Sequence, residues 1–122
     1  MEREELKRRI EEAIDQEAEA LMAYADDIRK HPELGFEEYR TSDKIAEYMK
    51  SLGLSVTRNL AITGVKGELV SSDKGPHIAV MGELDAIICN GAPYADPQTG
   101  AAHQCGHNVQ QTVLLAIAAG LI

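Results

Sequence analysis

Apolar residues recur every three or four positions along the first thirty residues, which is the spacing of one face of an α-helix. The members of this face are Leu6, Ile10, Ala13, Ile14, Leu21, Tyr24, Ala25 and Ile28. Pro32 interrupts the pattern, so we predict a helix over residues 2–30. The same spacing returns further along and predicts a second helix over residues 37–52, which Gly53 would end.

Three runs with strand-like patterns follow the two helices, over residues 55–60, 64–71 and 77–84. The third run begins with an almost continuous apolar segment, which is typical of a central strand covered on both faces. Residues 72–76 would form the tight turn that leads into it. Four glycine and proline residues interrupt the stretch from 88 to 104, so we expect a loop there.

A last helix is predicted to begin beyond Asn108, and it is apolar around its whole circumference from Val113 to Ile122. A helix of this kind is typical of a position that is buried on all sides. The 122 residues offer no further element to cover it. We therefore expect part of an α/β domain rather than a complete one; the alternative is that a partner chain covers the helix in a homo-oligomer.

The net charge of the chain limits the classes of binding partner that we expect. Twenty acidic residues against twelve basic ones give a formal net charge of −8, which argues against a nucleic-acid or anionic-membrane surface. No run approaches the roughly 18 apolar residues that a membrane span needs. The first residues are charged and show no secretory pattern, so we expect a cytoplasmic protein without membrane attachment.

Potential metal ligands are concentrated in the last part of the chain. Residues 75–122 contain no Lys or Arg, but they contain three of the four histidines and both cysteines, Cys89 and Cys105. Such a set of donors without cations would suit a bound metal ion. The alternative is that buried strands and helices simply contain few charged residues.

The densest group of donors surrounds a Cys-Gly-His sequence, Cys105-Gly106-His107. Thiolate and imidazole are suitable ligands for a borderline-soft divalent ion such as zinc, and the glycine allows both side chains to face one point. Two ligands do not complete a tetrahedral site. His103 could be a third ligand or a loop residue, and a reactive or purely structural cysteine is a further interpretation.

A second group is the sequence Gly82-Glu83-Leu84-Asp85-Ala86, where the third predicted strand ends. Ligands of open α/β sheets gather at the carboxyl ends of strands, so these carboxylates are candidate site residues. Glu83 and Asp85 would point to the same face while the strand lasts. The alternative is a solvated strand end.

These two groups, with the loop that joins them, resemble the M20 family of metallopeptidases. The resemblance is closest to the subgroup of amidohydrolases that act on N-acyl amino acids, aminobenzoyl-glutamate and similar amides or dipeptides. The segment His31-Pro32-Glu33-Leu34-Gly35-Phe36-Glu37-Glu38 matches a signature of the same subgroup. The resemblance implies that residues 1–122 are the N-terminal part of a three-layer α/β/α catalytic domain, with a zinc-peptidase-like fold and without the lid domain.

The resemblance also implies roles for individual residues. Cys105 and His107 match metal ligands, and Asp85 matches a residue that supports catalysis by orienting a ligand. Glu83 occupies a position where other branches of the family ligate through histidine, although this subgroup does not usually ligate from it. Asn108, in place of the commoner aspartate, resembles the aminoacylase-1-like branch and points to dipeptide or acyl-amino-acid substrates.

The implied activity is amide hydrolysis with two divalent ions, zinc or manganese. The family's general base is a glutamate expected some 35 residues beyond the Cys-Gly-His sequence, and only 15 residues follow His107 here. We therefore expect the isolated chain to be inactive. Two other hypotheses are a naturally short module that binds a metal or a protein partner, and a thiol enzyme that uses Cys105 with His103 or His107 as its base.

Overall fold

The computed structural model describes residues 1–71 and 74–122. In these residues the chain forms α1 (Arg3–Lys30), α2 (Tyr39–Ser51), β1 (Ser55–Leu60), β2 (Gly64–Glu68), β3 (Ile87–Ile88), β4 (Ala101–Ala102) and α3 (His107–Leu121). Strands β1 and β2 form one antiparallel pair, and β3 and β4 form another. The predicted mixed α/β class is confirmed.

The core lies where the three helices meet. Helix α1 contributes Tyr24 and Ile28, α2 contributes Ile45, and α3 contributes Leu115. Ile28 and Leu115 have no exposed surface. Burying an aliphatic side chain of this size stabilises the fold by roughly 1.5–3 kcal/mol, so these contacts hold α1 against α3.

Helix α2 takes its N-terminal cap from a residue of the turn that precedes it. The carboxylate of Glu33 accepts hydrogen bonds from the backbone N–H of Arg40 at 3.0 Å and of Thr41 at 2.6 Å, and from the Thr41 hydroxyl at 2.7 Å. The backbone oxygen of Glu33 also accepts a hydrogen bond from the N–H of Ala86 at 2.8 Å. This residue therefore joins the start of α2 to the segment that contains Asp85.

The helices and the first two strands agree closely with the sequence prediction. Helices α1 and α2 lie within the predicted ranges 2–30 and 37–52, and β1 has the predicted bounds. Strand β2 ends at Glu68, earlier than predicted, and α3 begins at His107. The turn predicted for residues 72–76 includes two residues outside the described part of the chain.

The third predicted strand, over residues 77–84, is a wrong prediction. The described residues of this segment are not paired in a sheet, and Ile78 and Met81 are 84% and 87% exposed. A strand of the central type needs a hydrogen-bonded neighbour on each side. The described residues supply no such neighbour to this segment. The apolar segment therefore does not become a strand of a sheet.

The prediction that the last helix is buried on all sides is also wrong. Helix α3 buries only the stripe formed by Asn108, Gln111, Leu115 and Ala119. The opposite face is exposed and consists of Val109, Val113, Ile117 and Leu121, which we call the exposed face of α3. Helix α1 packs along one side of α3, whereas no described element covers the other.

The loop predicted for residues 88–104 is largely irregular, but its two ends are joined by the short β3–β4 pair. No described helix is both long and apolar enough to cross a lipid bilayer.

We predict that removing the Glu33 carboxylate destabilises the fold. Glu33→Ala removes all three hydrogen bonds to the first turn of α2, and loss of a helix cap costs about 1–2 kcal/mol. Chemical denaturation of the variant and the wild-type chain measures the difference. Glu37→Ala is the control because Glu37 is exposed and belongs to the same turn. Equal unfolding free energies for the two variants would contradict the capping role.

A second prediction tests the two sides of α3. Leu115→Ala removes a fully buried side chain and should lower the free energy of unfolding by about 2–5 kcal/mol. Val113→Ala lies on the exposed face of α3, where a surface substitution changes stability by about 0.5 kcal/mol or less. Denaturant unfolding of both variants provides the comparison. A cost at Val113 as large as that at Leu115 would show that this face is covered.

Candidate metal centre

The Cys-Gly-His sequence lies at the start of α3, where the backbone turns sharply. Gly106 precedes the helix with φ 80° and ψ 19°, which is the left-handed region. Glycine adopts this conformation without the steric penalty that a Cβ atom brings. The backbone thus turns between Cys105 and His107, and His107 becomes the first residue of the helix.

The His107 ring lies between two carboxylates. Its Nδ1 atom is 2.8 Å from the backbone oxygen of Asp85 and 3.1 Å from Oδ1 of the same residue. Its Nε2 atom is 3.0 Å from Oε2 of Glu83. The imidazole is 15% exposed and the Glu83 side chain 63% exposed, so the ring is largely enclosed while the Glu83 carboxylate faces solvent. The structure therefore brings His107, Asp85 and Glu83 together.

Two glutamine side chains of α3 hold residues 82–86, which we call the acidic segment. Oε1 of Gln110 accepts a hydrogen bond from the Glu83 N–H at 2.5 Å. Nε2 of Gln111 donates to the backbone oxygens of Glu83 at 2.9 Å and Leu84 at 3.3 Å. These side chains lie three and four residues after His107, on the same side of the helix. The main chain next to both carboxylates is therefore aligned by the helix that carries the histidine.

Sequence analysis missed these glutamines and the Glu33 contact. A usable signal existed, because Gln110 and Gln111 are polar residues within a helix whose later part is apolar. A buried polar residue needs a hydrogen-bond partner, and Gln111 is 1% exposed. The spacing from His107 could thus have suggested that these amides support the site.

Both cysteines are free thiols. Cys105 is exposed, and Cys89 is partly buried in the loop that leads to β4. Among residues 1–71 and 74–122, no three His, Cys, Asp or Glu side chains form a group arranged to hold a metal ion. The contacts described above therefore concern His107 with two carboxylates, and they do not include the Cys105 thiol.

His103 lies close to the same group and is partly buried. Neither of its ring nitrogens has a hydrogen-bond partner among the described residues, although both atoms are buried. Burial is the main cause that lowers the pKa of His103, and the nearby His107 lowers it further, against the opposite effect of Asp85 and Glu33. The lowered pKa favours the neutral form of the His103 ring.

The arrangement around His107 can be compared with the needs of a divalent ion. An imidazole that binds a metal through one nitrogen usually donates its other N–H to a carboxylate or a backbone carbonyl. His107 Nδ1 faces both kinds of acceptor on Asp85, so Nε2 is the atom that remains for a ligand. Imidazole, thiol and carboxylate are also donors that zinc accepts. The orientation of His107 therefore suits a metal ligand, and the side chains around it are of types that a divalent ion binds.

Several hydrolases are similar to this chain in sequence. A protein of Bacillus subtilis (strain 168) named as an amidohydrolase is 36% identical over 99 residues, covering 75% of this chain and 25% of the relative. The hippurate hydrolase of Campylobacter jejuni is 33% identical over 94 residues, covering 75% of this chain and 24% of that protein. One of the subunits of the p-aminobenzoyl-glutamate hydrolase of Escherichia coli (strain K12) is 32% identical over 123 residues, covering 94% and 25%.

These matches confirm the resemblance to amidohydrolases of the M20 family that is seen in the sequence. The chain spans about a quarter of the length of the curated relatives it matches. No family model matches the chain. No solved structure matches it either.

We predict that the left-handed conformation at Gly106 matters for the stability of this region. Gly106→Ala places a Cβ atom in a conformation that costs roughly 1–2 kcal/mol for an ordinary L-residue, although no atom lies near enough to clash with it. Gly106→Asn should cost less because asparagine tolerates this region. Gly75→Ala is the control, since that glycine has open space and no positive φ. The unfolding free energies should follow that order; an unaffected Gly106→Ala variant would contradict it.

Proposed function

We propose that this chain is the N-terminal, metal-ligating part of an amidohydrolase that cleaves the amide bond of N-acyl amino acids or dipeptides. The observation that carries the proposal is the orientation of His107 by Asp85, in a chain related to hydrolases with names of this kind. In this proposal His107 and Cys105 are metal ligands, and Asp85 supports catalysis by holding the imidazole. The proposed substrate class follows from the names of the relatives.

Each residue has a defined task in this proposal. The backbone oxygen of Asp85 accepts a hydrogen bond from the Nδ1–H of His107, so Nε2 presents its lone pair to an ion. The side chains of Gln110 and Gln111 hold the backbone of Glu83 and its neighbours against α3 by hydrogen bonds. Zinc or manganese, two ions in the complete enzyme, would lower the pKa of a bound water and polarise the amide carbonyl. The exposed Cys105 thiol supplies a soft ligand that favours zinc.

The proposal assigns the general base to a glutamate outside these 122 residues. The described carboxylates near His107 are Asp85, which contacts Nδ1, and Glu83, which contacts Nε2, so neither is placed to serve as an independent base. The quarter-length match to the relatives and the exposed face of α3 support the view that further polypeptide completes the domain. The isolated 122 residues are therefore expected to hydrolyse no amide.

A second candidate function is favoured by one specific observation. Val109, Val113, Ile117 and Leu121 form an exposed apolar stripe on α3, and contiguous surfaces of this kind mark interaction sites. In this alternative the chain is a short, non-catalytic module that binds a metal or a protein partner, and α3 mediates a homo-oligomer. It requires a discrete, stable assembly of the 122-residue chain.

The mass of the native product in its source cells distinguishes the two functions. An antibody against residues 1–30 would detect it after denaturing electrophoresis, with the recombinant 13.3 kDa chain as the size standard. A product several times heavier is expected, and its purified form should hydrolyse acyl-amino acids or dipeptides and lose this activity on chelation. A product of 13.3 kDa that forms one defined oligomer would instead establish the binding module.

A further inference from the structure

The contact between His107 and Glu83 needs a positive charge between its two atoms. His107 Nδ1 is placed to donate its hydrogen to the backbone oxygen of Asp85, 2.8 Å away. In that tautomer Nε2 carries a lone pair, and Oε2 of Glu83, 3.0 Å away, is also an acceptor. Two acceptors at this distance repel each other unless a proton or a metal cation lies between them.

The separation of these two atoms is the one that a shared cation would produce. Zinc binds imidazole nitrogen and carboxylate oxygen at about 2.0–2.2 Å, so two such ligands at 90–110° lie roughly 2.9–3.4 Å apart. Nε2 of His107 and Oε2 of Glu83 are 3.0 Å apart. The pair could therefore enter one coordination sphere without a change in the backbone.

No side-chain cation competes for Glu83 in the described residues. Residues 75–122 contain no Lys or Arg, and the described side chain within ion-pair distance of the Glu83 carboxylate is the His107 imidazole. Asp85 adds a second carboxylate to the same ring, so the local charge is strongly negative before any ion binds. A divalent cation would neutralise both carboxylates.

The backbone of Glu83 is fixed by the fold, and its exposed side chain extends from that fixed backbone towards His107. Its N–H donates to Gln110 and its backbone oxygen accepts from Gln111, both one turn along the helix that His107 begins. The histidine and the carboxylate are thus carried by elements that are bonded to each other. A fixed backbone at both residues limits the rearrangement that binding of an ion would require.

We propose that Glu83 is a metal ligand of this chain and shares an ion with Nε2 of His107. The proposal deepens the function proposed above and rests on it, because it adds a carboxylate ligand to the histidine and the thiolate. It also gives a role to Glu83, which the resemblance had left without one. Asp85 remains the residue that orients the ring.

Cobalt(II) binding to the native-length protein tests the proposal with a readout that does not depend on activity. Cobalt substitutes for zinc, and its absorption spectrum reports thiolate coordination separately from the rest of the ligand set. The variants are Glu83→Gln, which keeps the shape and removes the charge, and Glu37→Gln, an exposed acid elsewhere, as the control. The Glu83 side chain is exposed, so its substitution should leave the thermal unfolding midpoint unchanged.

Three outcomes are distinguishable. The proposal expects at least about a 10-fold loss of cobalt affinity in Glu83→Gln, with the thiolate band retained, and no change in Glu37→Gln. Unchanged affinity in Glu83→Gln would overturn it and leave a proton between Glu83 and His107, while the function proposed above would stand. No cobalt binding by the wild-type protein would overturn both, because His107 and Cys105 would then hold no ion.

Discussion

A single buried amide, that of Gln111, joins the helical core to the candidate metal centre. Its oxygen accepts a hydrogen bond from the Tyr24 hydroxyl at 2.8 Å, and its nitrogen donates to the backbone oxygens of Glu83 and Leu84. The residue is 1% exposed, so each of these bonds is made away from water, where an unpaired partner would cost about 1–3 kcal/mol. The geometry around His107 therefore depends on the packing of α1 against α3.

The same contact shows how the core and the site share their elements. Burial is the main cause that raises the pKa of Tyr24, which keeps its hydroxyl protonated and able to donate to Gln111. On the other side of the acidic segment, Glu33 joins α2 to Ala86. The acidic segment is thus held from two directions, by α3 through the glutamines and by the turn before α2.

The sequence was informative wherever a local rule decides the structure. The apolar periodicity and Pro32 predicted α1, and Gly106 was expected to allow a tight turn of the backbone between Cys105 and His107. It failed where the outcome depends on elements distant in the chain. Residues 77–84 have the pattern of a central strand, but a strand is defined by its neighbours, and the described chain provides none.

For the candidate site, too, the sequence predicted the local features but not the arrangement that depends on distant elements. Two motifs of the site were visible in the sequence. One contains the possible metal ligands Cys105 and His107, and the other contains the acidic residues Glu83 and Asp85. Their mutual arrangement was not visible, because it follows from α3 docking on α1 and from the amides of Gln110 and Gln111. The Glu33 cap lies six residues before α2 begins, beyond the positions at which capping rules look for a partner.

The spacing on the exposed face of α3 has a geometric consequence. Val109, Val113, Ile117 and Leu121 follow one another at intervals of four residues, so they form a ridge that is inclined to the helix axis by roughly 26°. A helix that packs into the groove beside this ridge would cross α3 at about −50° if it uses its own ridges of four-residue spacing, and at about +20° if it uses ridges of three-residue spacing. The four-residue spacing of this face thus favours these two crossing angles for a helix that covers it.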